Sequence, residues 1–493
     1  MAVFIFHRDL RLVDNTALQA ACKWASAERR DRGAGGGVLP VFIFPPEQID
    51  PRRNKYYSAA AVQFMCESLI DLDGELRRGS GRGLRLFHGD TMEVLEGLRK
   101  KGMKAIFFNK DYSVYARERD EKIRKWCDKH GVEFHGDHED YDLVPQNEGL
   151  LDKPVRPYTN LSQYFARFVK SVAGRPMLQV RKPVDTTGKT ALPLPASQIQ
   201  AGDTLTAKTL PTYVLNAKLA QRGGRANGLK ILERIRRGDT VKYARERDFP
   251  AIEGTTKASA HLHFGTISIR EMYWALLAKK NMALIRELVF RSFYLKIYSL
   301  RPTLQRGEAF HAGLDKAVPW KSPKDAPNEW KAWKAGTTGF PLVDAGMRQL
   351  ETTGWMHNRV RMLVATTATR YFLLDWRDCA KHFYTRLVDA DTFSNTAGWQ
   401  WAAGIGPDAV PYFRAPMNPF IQSRKFDTNG EYIKKWIPEL AAVAAADIHK
   451  WDDDKIRNKY PTCVYPAPII GQKEASQRAV ATFKHAAGVS RSS

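Results

Sequence analysis

"MAVFIFHRDLRL", residues 1–12, opens the chain as a short apolar run that gives way to charge. The unbroken run AVFIF suits a strand buried on both faces, because a strand with one wet face would alternate. Runs of the same kind recur at "VLPVFIF" (38–44), "LRLFHG" (84–89) and "AIFFN" (105–109). Helical patterning lies between them, at "SAAAVQFMCESLIDLDGELRR" (58–78) and "TMEVLEGLRKK" (91–101). This alternation predicts an α/β N-terminal domain, a doubly wound parallel sheet, over residues 1–135. Residues 136–210, which include "VRKPVDTTGKTALPLPASQ" (180–198), predict a long linker with one helix at "NLSQYFARFVKSV" (160–172). From 211 the strand rhythm stops, and helical periodicity, aromatic residues and arginine run almost to the end. That predicts an all-α C-terminal domain over 211–493. A chain of 493 residues is also too long for one ordinary core.

Lysine and arginine total 77 against 53 acids, a formal charge of +24, which favours a polyanionic partner, nucleic acid first. No apolar run is long enough to span a membrane, and the first residues lack the form of a secretory signal. Five scattered cysteines without a CxxC pair point to a reducing, intracellular setting; cytoplasm and nucleus are not distinguished. "HLHFG" (261–265) offers two histidines and no further ligands, so no metal is expected. "GAGGG" (33–37) precedes a strand instead of following one. It predicts a flexible loop, not a dinucleotide fingerprint.

Four segments carry candidate chemistry. "TTGWMHNRVRML" (352–363) spaces Trp355, Asn358, Arg359 and Met362 as one helical face that mixes an indole, an amide, a guanidinium and a thioether. "RELVFRSFY" (286–294) repeats the spacing with Glu287, Phe290, Arg291 and Tyr294. Two such faces suit a planar, hydrogen-bonding ligand, although Glu287 and Arg291 also have the spacing of a plain surface ion pair. "LVDADTFSNTAGWQW" (387–401) brings Asp389, Asp391, Asn395, Trp399 and Trp401 into one stretch of an indole-rich half. "GTTKAS" (254–259) has the short hydroxyls and turn N–H groups that suit a phosphate, and equally those of a helix cap.

Together "FHRDLRLVDNTAL", "TGWMHNRVRM", "GWQWAAG" and "KFDTNGEYIKKWIPEL" resemble the DNA photolyase/cryptochrome family, from about residue 2 to 487. The resemblance implies an α/β antenna-type domain followed by a helical domain that binds FAD and DNA. It implies FAD contacts from Tyr243, Thr255, Thr256, Lys257, Ala258, Ser259, Leu284, Glu287, Arg291, Asn358, Arg361, Asp389, Ala390, Asp391 and Asn395. Lesion contacts are implied for Glu287, Phe290, Arg291, Asn358, Arg359, Met362 and Trp401. An electron relay is implied for Trp399, Trp376 and Trp320, with Glu287 and Asn358 acting on the lesion itself. A second antenna chromophore, folate or deazaflavin, has no assigned residues; its implied region is "FFNKDYSVYARERDEKIR" (107–124).

Within that family "WMHNR" resembles the photolyases that split cyclobutane pyrimidine dimers. A (6-4) photolyase would show a histidine pair where Asn358 stands. Asn395 is photolyase-like, where plant cryptochromes tend to carry Asp and animal ones Cys. The sequence ends soon after the helical domain, without a signalling tail. The expected function is therefore light-driven repair of pyrimidine dimers in damaged DNA by a soluble monomer. A blue-light receptor and a (6-4) photolyase are the alternatives. One departure stands out: the dimer-splitting members commonly carry Trp where this chain has Phe290, which offers less area for stacking.

Overall fold

The computed structural model describes residues 1–32, 37–143, 161–174, 210–213, 215–407 and 414–492. The chain divides into two compact units. One comprises Met1–Ala217, Gln221–Val241 and Thr256–Pro302, and the other Lys218–Ala220, Lys242–Thr255 and Thr303–Ser493. Residues 33–36 and the stretches 144–160 and 175–209, expected to be loop and linker, lie outside the described residues.

The first unit holds five parallel strands: β1 (Ala2–Ile5), β2 (Val38–Phe44), β3 (Arg85–His88), β4 (Ala105–Asn109) and β5 (Glu133–His138). Their order, β3-β2-β1-β4-β5, reverses at β1, as a doubly wound sheet requires. Each of the four apolar runs is a strand. The fifth strand, "EFHGDH", escaped the sequence pattern because it is a sheet edge whose residues are mostly half-buried or exposed. Its Gly136 has no side chain for a steric reason: a Cβ there would come within 2.6 Å of the Phe108 ring.

Four helices fill the crossovers: α1 (Thr16–Arg32), α2 (Ala59–Ser80), α3 (Thr91–Lys100) and α4 (Val114–His130). Side chains of Ser58, Asp90 and Ser113 accept from first-turn N–H groups of α2, α3 and α4. Gly81 and Gly131 close α2 and α4 in the left-handed conformation. Val3, Ile5, Val41, Ile43, Ile106 and Phe108 pack with Leu95, Leu98 and Ile123 in the core. The helix expected at 160–172 is α5, Leu161–Gly174.

Four further helices belong to this same unit: α6 (Arg225–Arg237), α7 (Ser259–His263), α8 (Ile269–Ala278) and α9 (Met282–Leu300). Compactness therefore divides the chain differently from the change of rhythm at 211. Buried charge is what holds these helices to the sheet. Arg270 of α8 reaches Asp140 at 2.6 Å and Asp14 at 2.8 Å, and Arg11 reaches Asp140 from the other side at 2.6 Å. Ser268 donates to Asp14 and caps α8 in a capping box with Glu271. Glu271 in turn pairs with Arg225 of α6 at 2.8 Å. All these side chains are buried.

The second unit is helical, with α10 (Ala312–Ala317), α11 (Pro327–Ala335), α12 (Pro341–Thr353) and α13 (Asn358–Thr366). The succession continues with α14 (Trp376–Arg386), α15 (Thr392–Ala403), α16 (Pro419–Phe426) and α17 (Gln472–Ser492). Its core is indole-rich, with Trp333, Trp376, Trp399 and Trp451 all buried. Among the described residues no helix is long and apolar enough to cross a membrane.

Burial alone would push the Asp140 carboxyl up, but Arg11 and Arg270 hold it well below the usual carboxylate range. Asp140→Ala would leave Arg11 buried without its carboxylate and Arg270 with Asp14 alone, at a cost of about 3–5 kcal/mol. Urea unfolding of the variant is expected to show that loss. An unchanged midpoint would mean that the network does not hold the unit together.

Candidate active site

The "GTTKAS" turn leads into α7. Lys257 lies at φ 51°, in the left-handed region that non-glycine residues seldom enter. The turn is further fixed from outside: the Gln221 amide accepts from Ala260 N–H at 2.9 Å and donates to Ser259 Oγ at 3.1 Å. Thr256 Oγ1 accepts from Ala258 N–H at 3.4 Å. Thr256, Lys257 and Ser259 thus sit together on a braced turn, with Ala258 buried behind them. Thr255 and Gly254 fall in the second unit, as does Tyr243, which is buried in a one-turn helix, Tyr243–Glu246.

Helix α9 carries Leu284, Glu287, Phe290 and Arg291. Leu284 is buried; Glu287, Phe290 and Arg291 are half-buried. Arg291 does not make the ion pair that its spacing from Glu287 suggests. Its Nη1 donates to the Tyr141 carbonyl at 2.8 Å, and the guanidinium lies 3.8 Å from the centre of the Tyr141 ring. Arg8 covers the same ring at 4.1 Å. The structure therefore gives Arg291 a bracing role within its own unit.

In the second unit the helix expected through Trp355, Asn358, Arg359 and Met362 is broken. Gly354, at φ 65°, closes α12, and His357, in extended conformation, caps α13 by accepting from Arg359 N–H at 3.2 Å. Trp355 therefore lies in the connection and not on the helical face. The other three remain together: Asn358 Nδ2 and Arg359 Nη1 approach Met362 Sδ at 3.9 and 4.0 Å. Asn358 is exposed. Arg359 is held by Asp248 at 2.6 Å and lies 4.7 Å from the centre of the Phe426 ring.

Arg361, one turn from Asn358, uses Nη2 to reach both oxygens of Asp389 at 3.1 and 3.0 Å, and Nε to reach the Met356 carbonyl at 2.8 Å. The Asp389 side chain is only 4% exposed, yet among the described residues this one nitrogen is its donor. A carboxylate has room for about four hydrogen bonds, so Asp389 keeps acceptor capacity in a buried place. Ala390 is buried beside it, and Asp391 caps α15 by accepting from Ser394 N–H at 2.9 Å. On α15, Asn395 Nδ2 donates to the Ala380 carbonyl at 3.0 Å. That bond fixes the amide and leaves its oxygen to accept from something else. A buried carboxylate and an oriented amide oxygen suit the N–H-rich edge of a flat heterocycle, and so fit a flavin.

The tryptophans fall into two groups. Trp376, buried, and Trp320, half-buried, donate to the same atom, Asp315 Oδ1, at 3.0 and 2.9 Å. Trp399 is buried edge-on to Phe383 at 4.9 Å and to Trp333 at 6.0 Å. Trp401 is half-buried and packs on the core. His261 meets Thr266 Oγ1 at 2.7 Å, and no metal-holding cluster occurs among the described residues.

Sequence reasoning missed Gln221, Asp248, Asp315 and His357. The first three act on residues 5, 38 or 111 positions away, where no local spacing speaks for them. His357 had a signal: a polar residue three positions after a helix-closing glycine and directly before "NRVRML" is the place of a cap.

A family model described as DNA photolyase matches residues 2–184, and one described as the FAD binding domain of DNA photolyase matches residues 284–485. A curated protein of Halobacterium salinarum, named deoxyribodipyrimidine photo-lyase, is 34% identical over 99% of this chain and 100% of its own length. The crystal structure of an archaeal photolyase from Sulfolobus tokodaii, described as containing two FAD molecules, superposes with a TM-score of 0.81 at 33% identity. That match covers 98% of this chain and 99% of the other. A Synechocystis cryptochrome, 23% identical with a TM-score of 0.82 over 97% of this chain and 98% of its own, shares the fold.

Burial, with help from the neighbouring Arg361, lowers the His357 pKa from 6.5 to about 4. The unfolded chain therefore takes up this proton at a higher pH than the folded one. The cap's contribution is complete above pH 6.5 and falls as the pH drops toward 4, by about 3 kcal/mol. His357→Asn keeps a capping acceptor without the titration, so its stability should fall less steeply over that range. Parallel slopes for variant and parent in chemical denaturation would remove His357 as the cause.

Proposed function

This chain belongs to the DNA photolyase family, and from that premise we propose that it is a deoxyribodipyrimidine photo-lyase, an enzyme that uses light to split cyclobutane pyrimidine dimers in DNA. The observation that carries this reading is the Arg361–Asp389 pair with Asn395: a buried carboxylate and a half-buried amide, partly unfilled as acceptors, beside an indole-rich core. FAD, when bound and reduced, supplies the single electron that opens the cyclobutane ring, and takes it back.

The chain's own residues position, orient and exclude water. Asp389 and Asn395 accept from the flavin edge, with Arg361 balancing the buried charge, and Tyr243, Thr255, Thr256, Lys257 and Ser259 take the phosphates. Leu284, Ala390 and the backbone at Ala258 and Asp391 complete the cofactor set. Asn358 and Glu287 hydrogen-bond the polar edges of the dimer, while Met362, Trp401 and Phe290 press on its apolar rings. Arg359 meets the DNA backbone, a role supported by its place beside Asn358. Arg291, braced by the Tyr141 ring and carbonyl, keeps guanidinium donors with which to steady negative charge at the flavin or on the damaged DNA.

Selectivity begins before chemistry. A pyrimidine dimer stacks and pairs poorly, so turning it out of the duplex costs less than the few kcal/mol of an intact base. A net charge of +24 speeds encounter with DNA and makes binding salt-sensitive. We place a second, light-gathering chromophore outside the carboxyl ends of β1 and β4, where the strand order reverses and the 107–124 segment passes. The setting is a reducing cell interior, in keeping with five unpaired cysteines, and the working form a single chain.

Purified protein with reductant should restore thymines in an oligonucleotide carrying one cyclobutane dimer under blue light and not in darkness. A flavin-loaded preparation that restores none in light would move the assignment to a receptor or to (6-4) repair. Glu287→Ala is expected to lower the repair quantum yield roughly tenfold or more while lesion binding weakens much less. An unchanged yield would remove Glu287 from the lesion site.

A further inference from the structure

Asp315 has no part in the function described so far, yet its surroundings are unusual. It is a buried carboxylate on α10 whose Oδ1 accepts two indole N–H groups, from Trp376 at 3.0 Å and Trp320 at 2.9 Å. The two indole nitrogens are therefore no more than two hydrogen-bond lengths apart. Its other oxygen, Oδ2, accepts from Arg377. The backbone enforces the arrangement. Lys321 N–H donates to the Leu373 carbonyl at 2.8 Å and Asp375 N–H to the Lys321 carbonyl at 2.9 Å, which pins residues 320–321 beside the start of α14.

A second aromatic path leaves Trp399. Its ring centre is 6.0 Å from Trp333, which stacks on half-buried Trp330 at 5.5 Å. This path too ends at a half-buried indole. Electrostatics separates the two. Trp333 Nε1 is buried with no acceptor among the described residues, and Lys334 Nζ lies 5.4 Å from the centre of the Trp330 ring. Lys334 therefore opposes a positive charge on Trp330, and the Trp333 indole N–H has no carboxylate bonded to it among the described residues. A positive charge on Trp376 or Trp320 sits against a desolvated carboxylate. The Arg377 guanidinium, 4.6 Å from the centre of the Trp376 ring, opposes it there, but Asp315 and Asp375 both pair with Arg377 and offset it.

We propose that Asp315 is the positioning residue that directs electron flow in this protein, by stabilising the oxidised indoles of Trp376 and Trp320 over those of Trp333 and Trp330. This rests on the reading of Trp399, Trp376 and Trp320 as the relay. The oxidant is the light-excited oxidised flavin, and the final reductant a thiol in solution. One electron leaves Trp399, Trp376 refills Trp399, and Trp320 refills Trp376. Trp320 is left as a radical cation whose indole proton is shared with Asp315 Oδ1 until the thiol returns one electron.

The test compares flash-induced tryptophan radicals in flavin-loaded parent, Asp315→Asn, Trp320→Phe and Trp330→Phe, by transient absorption and electron paramagnetic resonance. Near-ultraviolet circular dichroism of the apoproteins monitors the indole packing. Asp315→Asn keeps an acceptor oxygen for the two indoles, removes the charge and turns the atom facing Arg377 from acceptor to donor. It should lower the yield of the long-lived radical about tenfold, the difference between a charged and a neutral hydrogen bond, with the apoprotein spectrum unchanged. Asp315→Glu should restore part of it. Trp330→Phe should leave the parental yield intact. A full yield in Asp315→Asn overturns the proposal, and so does a loss of yield in Trp330→Phe, which needs no change at Asp315. If Trp320→Phe still forms the parental radical, the relay reading fails and the proposal with it. If Trp320→Phe abolishes the radical while Asp315→Asn does not, the proposal alone fails.

Discussion

Four buried charges, Arg11, Asp14, Asp140 and Arg270, fix the architecture of the sheet-bearing unit. Each guanidinium bridges segments far apart in sequence: the chain leaving β1, the chain leaving β5, and helix α8. Such a network is costly to desolvate and stabilises only when every member is matched. Here Arg270 makes four hydrogen bonds to Asp14 and Asp140, side chain and backbone together. The consequence is geometric. The segments after β1 and β5 are the carboxyl-terminal side of the sheet, the side on which doubly wound folds bind ligands, and the network sets their course.

The legible part of the fold was the part governed by local physics. Unbroken apolar runs gave four strands correctly, and helical patterning gave α2 and α3, because a buried strand and an amphipathic turn are decided within a few residues. The fifth strand was not legible: an edge strand that carries Glu133, His135, Asp137 and His138 has no apolar run to betray it. The change of rhythm at 211 marks where strands stop, but not where packing changes hands. Arg225, Arg270 and Glu271 look like ordinary surface charges of helices until their partners, tens to hundreds of residues away, are in place.

The site divides the same way. Spacing brought Asn358, Arg359 and Met362 together correctly and wrongly added Trp355, because the glycine and histidine that interrupt the helix outweigh a favourable periodicity. The family resemblance put Arg361 and Asp389 in one cofactor set, and the geometry pairs them. Arg291 shows the reverse. Its helical spacing to Glu287 is ideal, but a flat guanidinium gains more over the Tyr141 ring, where it also reaches a carbonyl, than from an exposed ion pair worth a few tenths of a kcal/mol.

Buried carboxylates in this protein differ in how completely they are matched, and that difference separates frame from chemistry. Asp140 and Asp14 face guanidiniums directly, and their low-energy state is a fixed ion pair that nothing else needs to enter. Among the described residues Asp389 has one donor nitrogen for two oxygens, which leaves capacity for a ligand in a buried place. Asp315 is matched in number but not in kind. Two of its donors are neutral indoles, each bond being shorter and stronger when the ring carries positive charge. A carboxylate bound to permanent cations has nothing to gain from a change of charge nearby. One bound to groups that become cationic only for an instant stabilises that instant selectively, and in a low-dielectric interior that preference is larger than any the solvent could supply.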